Sequence, residues 1–210
     1  MSAKKPTTKT NRKLARYSAT PAGPKKLARR MAKTTSVVEP TPTPSSAALP
    51  PQSVATLILA LRDPSADTAR EAAMVLGKLG DASAVVALIE AVENSNGYFH
   101  SVVRAAACAS LGHLRDCQAT PALIKAVRDP MAEASAEAVR ALALLGDDRA
   151  IEPLMEVARN ENGYFLPVVR LAAINALRQF DDPRAAALLK ALAANQDEDS
   201  VLRAAAAVRK

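Results

Sequence analysis

Between Leu57–Asp116 and Leu123–Asp182 the sequence lies over itself at an offset of 66 residues without a gap, and 28 of the 60 aligned positions are identical. A chain that repeats at this level builds stacked copies of one small unit. No unit can bury its apolar face alone, so each packs on its neighbours and the stack presents an extended binding surface. The repeat therefore constrains form far more tightly than it constrains partner.

Each unit divides again. The runs Leu57–Leu61, Leu88–Val92, Leu123–Val127, Leu154–Ala158 and Leu188–Leu192 recur along the chain. Apolar residues within them stand three to four apart, the spacing of one helical face, while Glu90 or Lys125 falls on the other. With no period-two stretch, the pattern predicts an all-α solenoid of about five helix pairs. Punctuation agrees. Asp63-Pro64 and Asp129-Pro130 should end first helices, because proline pushes the residue before it out of the helical region. Gly80 and Gly146 should end second helices, since glycine takes the left-handed C-terminal conformation freely.

The pattern "LIxAVxDP...AREAAxxLGKLGD", present at Leu57–Asp81 and in degraded form at Leu123–Asp147, resembles the HEAT family, specifically its short-repeat branch related to phycobilisome lyases. The resemblance covers about residues 53–209. It implies a turn aspartate and an arginine early in the second helix, paired as a ladder along the stack. Asp63 and Arg70 match that rule; Asp129 also matches, but Ala136 replaces the arginine and interrupts the ladder. The fold hosts chromophore lyases, a metal-dependent hydroxylase, DNA glycosylases and plain scaffolds, so it does not by itself choose a function.

Charge divides the chain at a different place. Residues 1–51 hold 11 of the 28 Lys and Arg against a single acid, Glu39, leaving 17 basic and 20 acidic residues in the remainder. Eight of the 14 prolines also lie there. Such a segment buries too little apolar surface to offset its ordering entropy. The expected organisation is a disordered basic, Pro/Ser/Thr-rich tail over 1–51 and a solenoid over 52–210. The tetrad Lys-Leu-Ala-Arg occurs twice in the tail, at 13–16 and 26–29. Lys13, Arg16, Lys25, Lys26, Arg29 and Arg30 are its candidate contacts to phosphates or an anionic surface. The competing readings are a solubilising tail without a ligand and a mitochondrial transit peptide, the latter opposed by Pro6, Pro21 and Pro24.

The chain shows no secretory signal, and its longest apolar stretch, 54–61, is too short to span a bilayer. Cys108 and Cys117, nine apart, fit neither a metal spacing nor a disulfide framework. A reduced, cytoplasmic protein without cofactor is the expectation.

The most unusual local feature is a longer turn in the even repeats. Seven steps separate Asp63 from Arg70, but ten separate Asn94 from Arg104 and Asn160 from Arg170. Both long turns read Asn-x-Asn-Gly-Tyr-Phe-x-x-Val-Val-Arg and hold four of the five aromatics outside the tail. In-register stacking should bring the two turns to one edge, roughly 20 Å apart. Tyr98, Phe99, Arg104, Tyr164, Phe165 and Arg170 are thus candidate partner-binding residues. The competing structural reading has each Phe plug the gap between its helices, each Tyr cover it, and each Arg stay in the ladder.

Catalytic and metal-binding chemistry finds little to use. His100 precedes Ser101 and His113 precedes Leu114, so the His-Glu pairs that the resemblance implies for a two-iron hydroxylase are missing. No Gly-rich phosphate loop, Ser-His-Asp set or Cys-rich cluster is present. The expected function is a non-enzymatic interaction scaffold or adaptor for a protein partner. The alternatives are a nucleic-acid-associated protein using its tail and a lyase-like protein acting on a partner subunit. Finally, the first helix is apolar all round, with Leu59 beyond the Val54, Leu57, Ile58 and Leu61 stripe. A terminal repeat is therefore expected to meet another surface, either a second copy of the protein, by self-association, or the partner, the competing reading being that Leu49, Pro50 and Pro51 fold back over it.

Overall fold

The computed structural model describes residues 53–207. The tail, with its expected disorder and its candidate contacts from Lys13 to Arg30, lies outside the described residues. Those residues form ten α-helices and no strand. They are α1 (Val54–Ala60), α2 (Ala66–Leu79), α3 (Val85–Glu93), α4 (Ser101–Leu114), α5 (Thr120–Ala126), α6 (Ala132–Leu145), α7 (Ile151–Arg159), α8 (Pro167–Leu177), α9 (Pro183–Ala194) and α10 (Ser200–Ala207). Consecutive helices pair as five antiparallel layers. The second helices α2, α4, α6, α8 and α10 pack one on the next along the stack, and α3 packs on α5 in the first-helix row.

Helix ends follow the sequence punctuation. Gly80 and Gly146 cap α2 and α6 with φ of 71° and 65°. At the first three of the four junctions between layers the chain makes a three-residue 3₁₀ turn, capped each time by an aspartate: Asp81, Asp116 and Asp147 accept from the N–H two residues on. Asp147 also accepts from the Thr120 hydroxyl at 2.9 Å, joining neighbouring layers, and its hydrogen bonds to Arg149 hold its carboxyl well below the usual range.

The core is leucine toward the first helices and alanine between the second helices. Small residues let α2, α4 and α6 approach closely. A methyl group on Gly77 would stand 2.6 Å from the Cβ of Ser110, and one on Gly112 would stand 2.9 Å from the Cα of Ala141. Ser110 fills the space left by Gly77 and donates its hydroxyl to the Ala73 carbonyl at 2.8 Å. Cys108 is buried here, which pushes its thiol up to about 12, while Cys117 is exposed. None of the helices among the described residues is long and apolar enough to cross a membrane.

Candidate partner-binding site

The two long turns are built alike from an asparagine outward. Asn94 ends α3 and Asn160 ends α7 in the left-handed conformation, with φ of 44° and 50°. Asparagine tolerates that region because its short amide can hydrogen-bond locally. Here the amide closes the turn: the Oδ1 atoms of Asn94 and Asn160 accept from the Phe99 and Phe165 N–H at 2.7 and 2.8 Å. Gly97 and Gly163, both at φ 65°, donate back to the carbonyls of Asn94 and Asn160 at 2.8 and 2.9 Å. The expectation that Asn-Gly supplies a positive angle is met by the glycine. The role of the first asparagine, four residues before the tyrosine, was not legible, because a side chain standing in for backbone leaves no spacing signature.

The turn aims its two aromatics apart. Phe99 and Phe165 go inward and are 9% and 8% exposed, whereas Tyr98 and Tyr164 lie outward at 55% and 53%. Each tyrosine meets its phenylalanine edge to face, with centroids 5.4 and 5.0 Å apart. Each hydroxyl donates to a carbonyl at the end of the preceding layer's first helix, Tyr98 to Arg62 at 2.6 Å and Tyr164 to Arg128 at 3.0 Å. A tyrosine fixed at both ring and hydroxyl has little rotamer freedom left to lose on binding.

The two arginines face the stack. Arg104 grips Asp129 with Nε at 2.6 Å and Nη2 at 2.8 Å, and Nη1 donates to the Phe99 carbonyl at 2.9 Å. Arg170 grips Glu198 with Nη1 at 2.8 Å and Nη2 at 2.6 Å while bonding the Ala158 carbonyl. All four charged side chains are largely buried, and the Arg170 bonds hold the Glu198 carboxyl below the ordinary glutamate range. The ladder thus has a rung at Asp129, which its motif names, and another at Glu198, which it does not. Arg70 is exposed and pairs with no acid among the described residues. The reason is direction: each arginine reaches forward into the next layer's turn, and the turn ahead of Arg70, residues 94–100, holds no acid. Of the six candidate residues, then, the tyrosines present surface, and the phenylalanines and arginines hold the turn that carries them.

What surrounds the tyrosines differs between the copies. Tyr164 and Leu166 line a hollow with Pro130, Ala132, Phe165 and Val169, and Met131 and Val168, next to lining residues along the chain, are exposed. The equivalent places near Tyr98 hold Ser65, His100 and Val102. His100 caps α4, its Nδ1 accepting from the Val102 N–H at 3.4 Å, and His113 stands exposed on the same helix. Among the described residues no three His, Cys, Asp or Glu side chains are grouped to hold a metal ion. Sequence reasoning missed Met131 and Leu166. The signal lies in the positions where the two copies disagree, whereas a shared motif records only those where they agree.

The sequence matches the family described as HEAT repeats over residues 54–130, 98–166 and 136–208. The chain belongs to the HEAT-repeat family. Among solved structures it is similar to the complex of CpcE and CpcF of phycocyanin lyase from Nostoc sp. PCC7120, at 23% identity with a TM-score of 0.48, covering 80% of this chain and 79% of that one. It is also similar to human deoxyhypusine hydroxylase in complex with glycerol, at 18% identity and a TM-score of 0.38, over 73% of this chain and 81% of that one. No curated protein matches the sequence.

Proposed function

We propose that this HEAT-repeat protein is a protein-interaction module whose partner docks along the edge that carries the two tyrosine turns, with the second turn as the principal contact. The observation that supports this reading is the exposed apolar surface of Tyr164 and Leu166 on one hollow, with Met131 and Val168 exposed next to its lining residues along the chain. Contiguous exposed apolar surface with a polar rim is typical of docking sites, and Arg128 and Glu156, exposed and paired, flank the Tyr164 side. Tyrosines pre-set by hydrogen bonds add contact area at small entropic cost. The matching partner offers an apolar segment. The first turn, with Ser65 and His100, serves as a weaker outer contact.

The test uses the full chain as bait in cell extract, with and without nuclease. Tyr164→Ala and Leu166→Glu should each lower partner capture about tenfold or more, and Tyr98→Ala less; Leu166→Glu should leave the melting temperature unchanged, while the tyrosine changes also lower it modestly through the lost carbonyl bond and ring contact. Capture that is indifferent to Leu166→Glu would overturn the reading. Capture lost on nuclease treatment would favour nucleic-acid association instead.

A further inference from the structure

The two interior rungs obey one rule. The donor is the fourth residue of a second helix, Arg104 in α4 and Arg170 in α8. Its guanidinium bonds a carbonyl of its own layer, that of Phe99 or Ala158, and extends forward to a carboxylate in the following turn, Asp129 or Glu198. Arg203 is the fourth residue of α10. It too bonds carbonyls of its own layer, those of Asn195 at 3.5 Å and Gln196 at 3.2 Å. No layer follows it among the described residues, and no carboxylate among them pairs with it.

The other half of such a rung stands at the opposite end. Asp63 is the counterpart of Asp129, 66 residues earlier. Its turn is already shaped for the role. Asp63 Oδ1 accepts the Ser65 N–H at 2.8 Å just as Asp129 Oδ1 accepts that of Met131 at 2.8 Å, and Tyr98 holds the Arg62 carbonyl as Tyr164 holds that of Arg128. No layer precedes Asp63 among the described residues, and no arginine among them reaches it.

The apolar surfaces agree with the charges. Thr120, Ala122 and Ala126 of α5 are buried where it lies against α3, but their counterparts Val54, Thr56 and Ala60 of α1 are exposed or half-exposed. Leu59 is 75% exposed. It takes the place of Lys125, which bonds back to Glu93 of the preceding layer, so Leu59 faces where a preceding layer would be. At the far end α10 presents Val201 and the small Ala204 and Ala207. We infer that the chain stacks head to tail on a second copy of itself, the α9–α10 layer of one copy on the α1–α2 layer of the next, with Arg203 gripping Asp63 of the second copy. Apolar contact supplies the attraction and the ion pair sets the register. Because the two contacting surfaces differ, the interface is heterologous and propagates as an open run unless its rotation closes a ring.

Sedimentation of the full chain over about a thousandfold concentration range should show mass that keeps rising, without a plateau at the dimer. Asp63→Lys and Arg203→Glu should each weaken association about tenfold or more when alone. Mixed together they should associate again, because the junctions between unlike copies pair opposite charges, native at one and reversed at the next. The reversed pair Asp63→Arg/Arg203→Asp should associate again, which separates lost contact from lost fold. A parent chain that stays monomeric throughout, single variants that associate like the parent, or a mixture that does not associate would each overturn the inference. Tyr164→Ala should leave all of these results unchanged, so this proposal and the partner-binding one fail separately.

Discussion

The two 66-residue copies share a skeleton and differ in skin. Both repeat the asparagine-closed turn, the tyrosine-to-carbonyl bond, the inward phenylalanine and the ion pair that joins consecutive first helices, Arg62 with Glu90 and Arg128 with Glu156. They part at Ser65 and Met131, at His100 and Leu166, and in the interior at Gly77 and Ser110 against Ala143 and Ala176. Where two copies of one unit agree, the agreement reports what the stack needs to close. Where they disagree on an exposed edge, the disagreement marks where one copy has taken on something the other lacks.

The comparison breaks most sharply at the phenylalanines. Phe99→Ala and Phe165→Ala should each lower stability by about 3–5 kcal/mol in urea unfolding, as buried aromatics in a turn that cannot collapse around the void. The second should be costlier by about 0.5–1 kcal/mol, because the Arg128 guanidinium stands 5.9 Å from the Phe165 ring centroid. Equal losses would mean that the cation adds nothing.

A smaller effect is expected from the glycine and serine that differ between the copies. Gly77→Ala alone should cost about 1–3 kcal/mol by overpacking against Ser110. Adding Ser110→Ala, which reproduces Ala143 and Ala176 of the second copy, should recover part of that loss, and a double-mutant cycle in thermal unfolding measures how much. Strict additivity would show that the two sites do not form one interlocking pair.

The smallest concerns the Glu198 rung. Its carboxyl titrates lower in the folded chain than in the unfolded one, so the stabilisation is complete above the unfolded value of about 4.3 and is lost as pH falls through the folded value. Melting temperatures between pH 6 and pH 3 should therefore fall less steeply for Glu198→Gln than for the parent. Parallel acid limbs would show that Arg170 does not hold this carboxyl in its charged form.

Much of the fold was legible because its signals are local. Leucine spacing marks the helices, and Gly80, Gly146 and the Asn-Gly turns mark where they end. The site was legible only in part, for reasons of distance along the chain. Arg104 finds its acid 25 residues on and Arg170 finds its own 28 residues on, and neither spacing exists until layers have stacked. The motif set Asp63 and Arg70 in a ladder along the stack without fixing which layer's acid an arginine meets, and the guanidinium meets that of the next layer. Glu198 carries none of the motif's neighbours and became visible as a rung only through its geometry. Met131 and Leu166 were overlooked because a single apolar residue in a turn has no period.

The alternation of rungs also bears on how this chain avoids folding out of step with itself. Repeat proteins fail characteristically by misassembly, since any layer finds near-identical surfaces elsewhere along the chain. A slip of one layer here would set Arg104 against the Asn160 turn, whose amide oxygen is already taken by the Phe165 N–H, and would set Asp129 opposite Arg70 in a helix where the arginine stands one residue later. A slip of two layers would satisfy the rungs but would press Ser110 toward Ala143, a position that has a methyl group where Gly77 has none. The buried charges thus proofread odd errors and the small residues proofread even ones, so a polypeptide that is nearly its own duplicate still has one register to settle into.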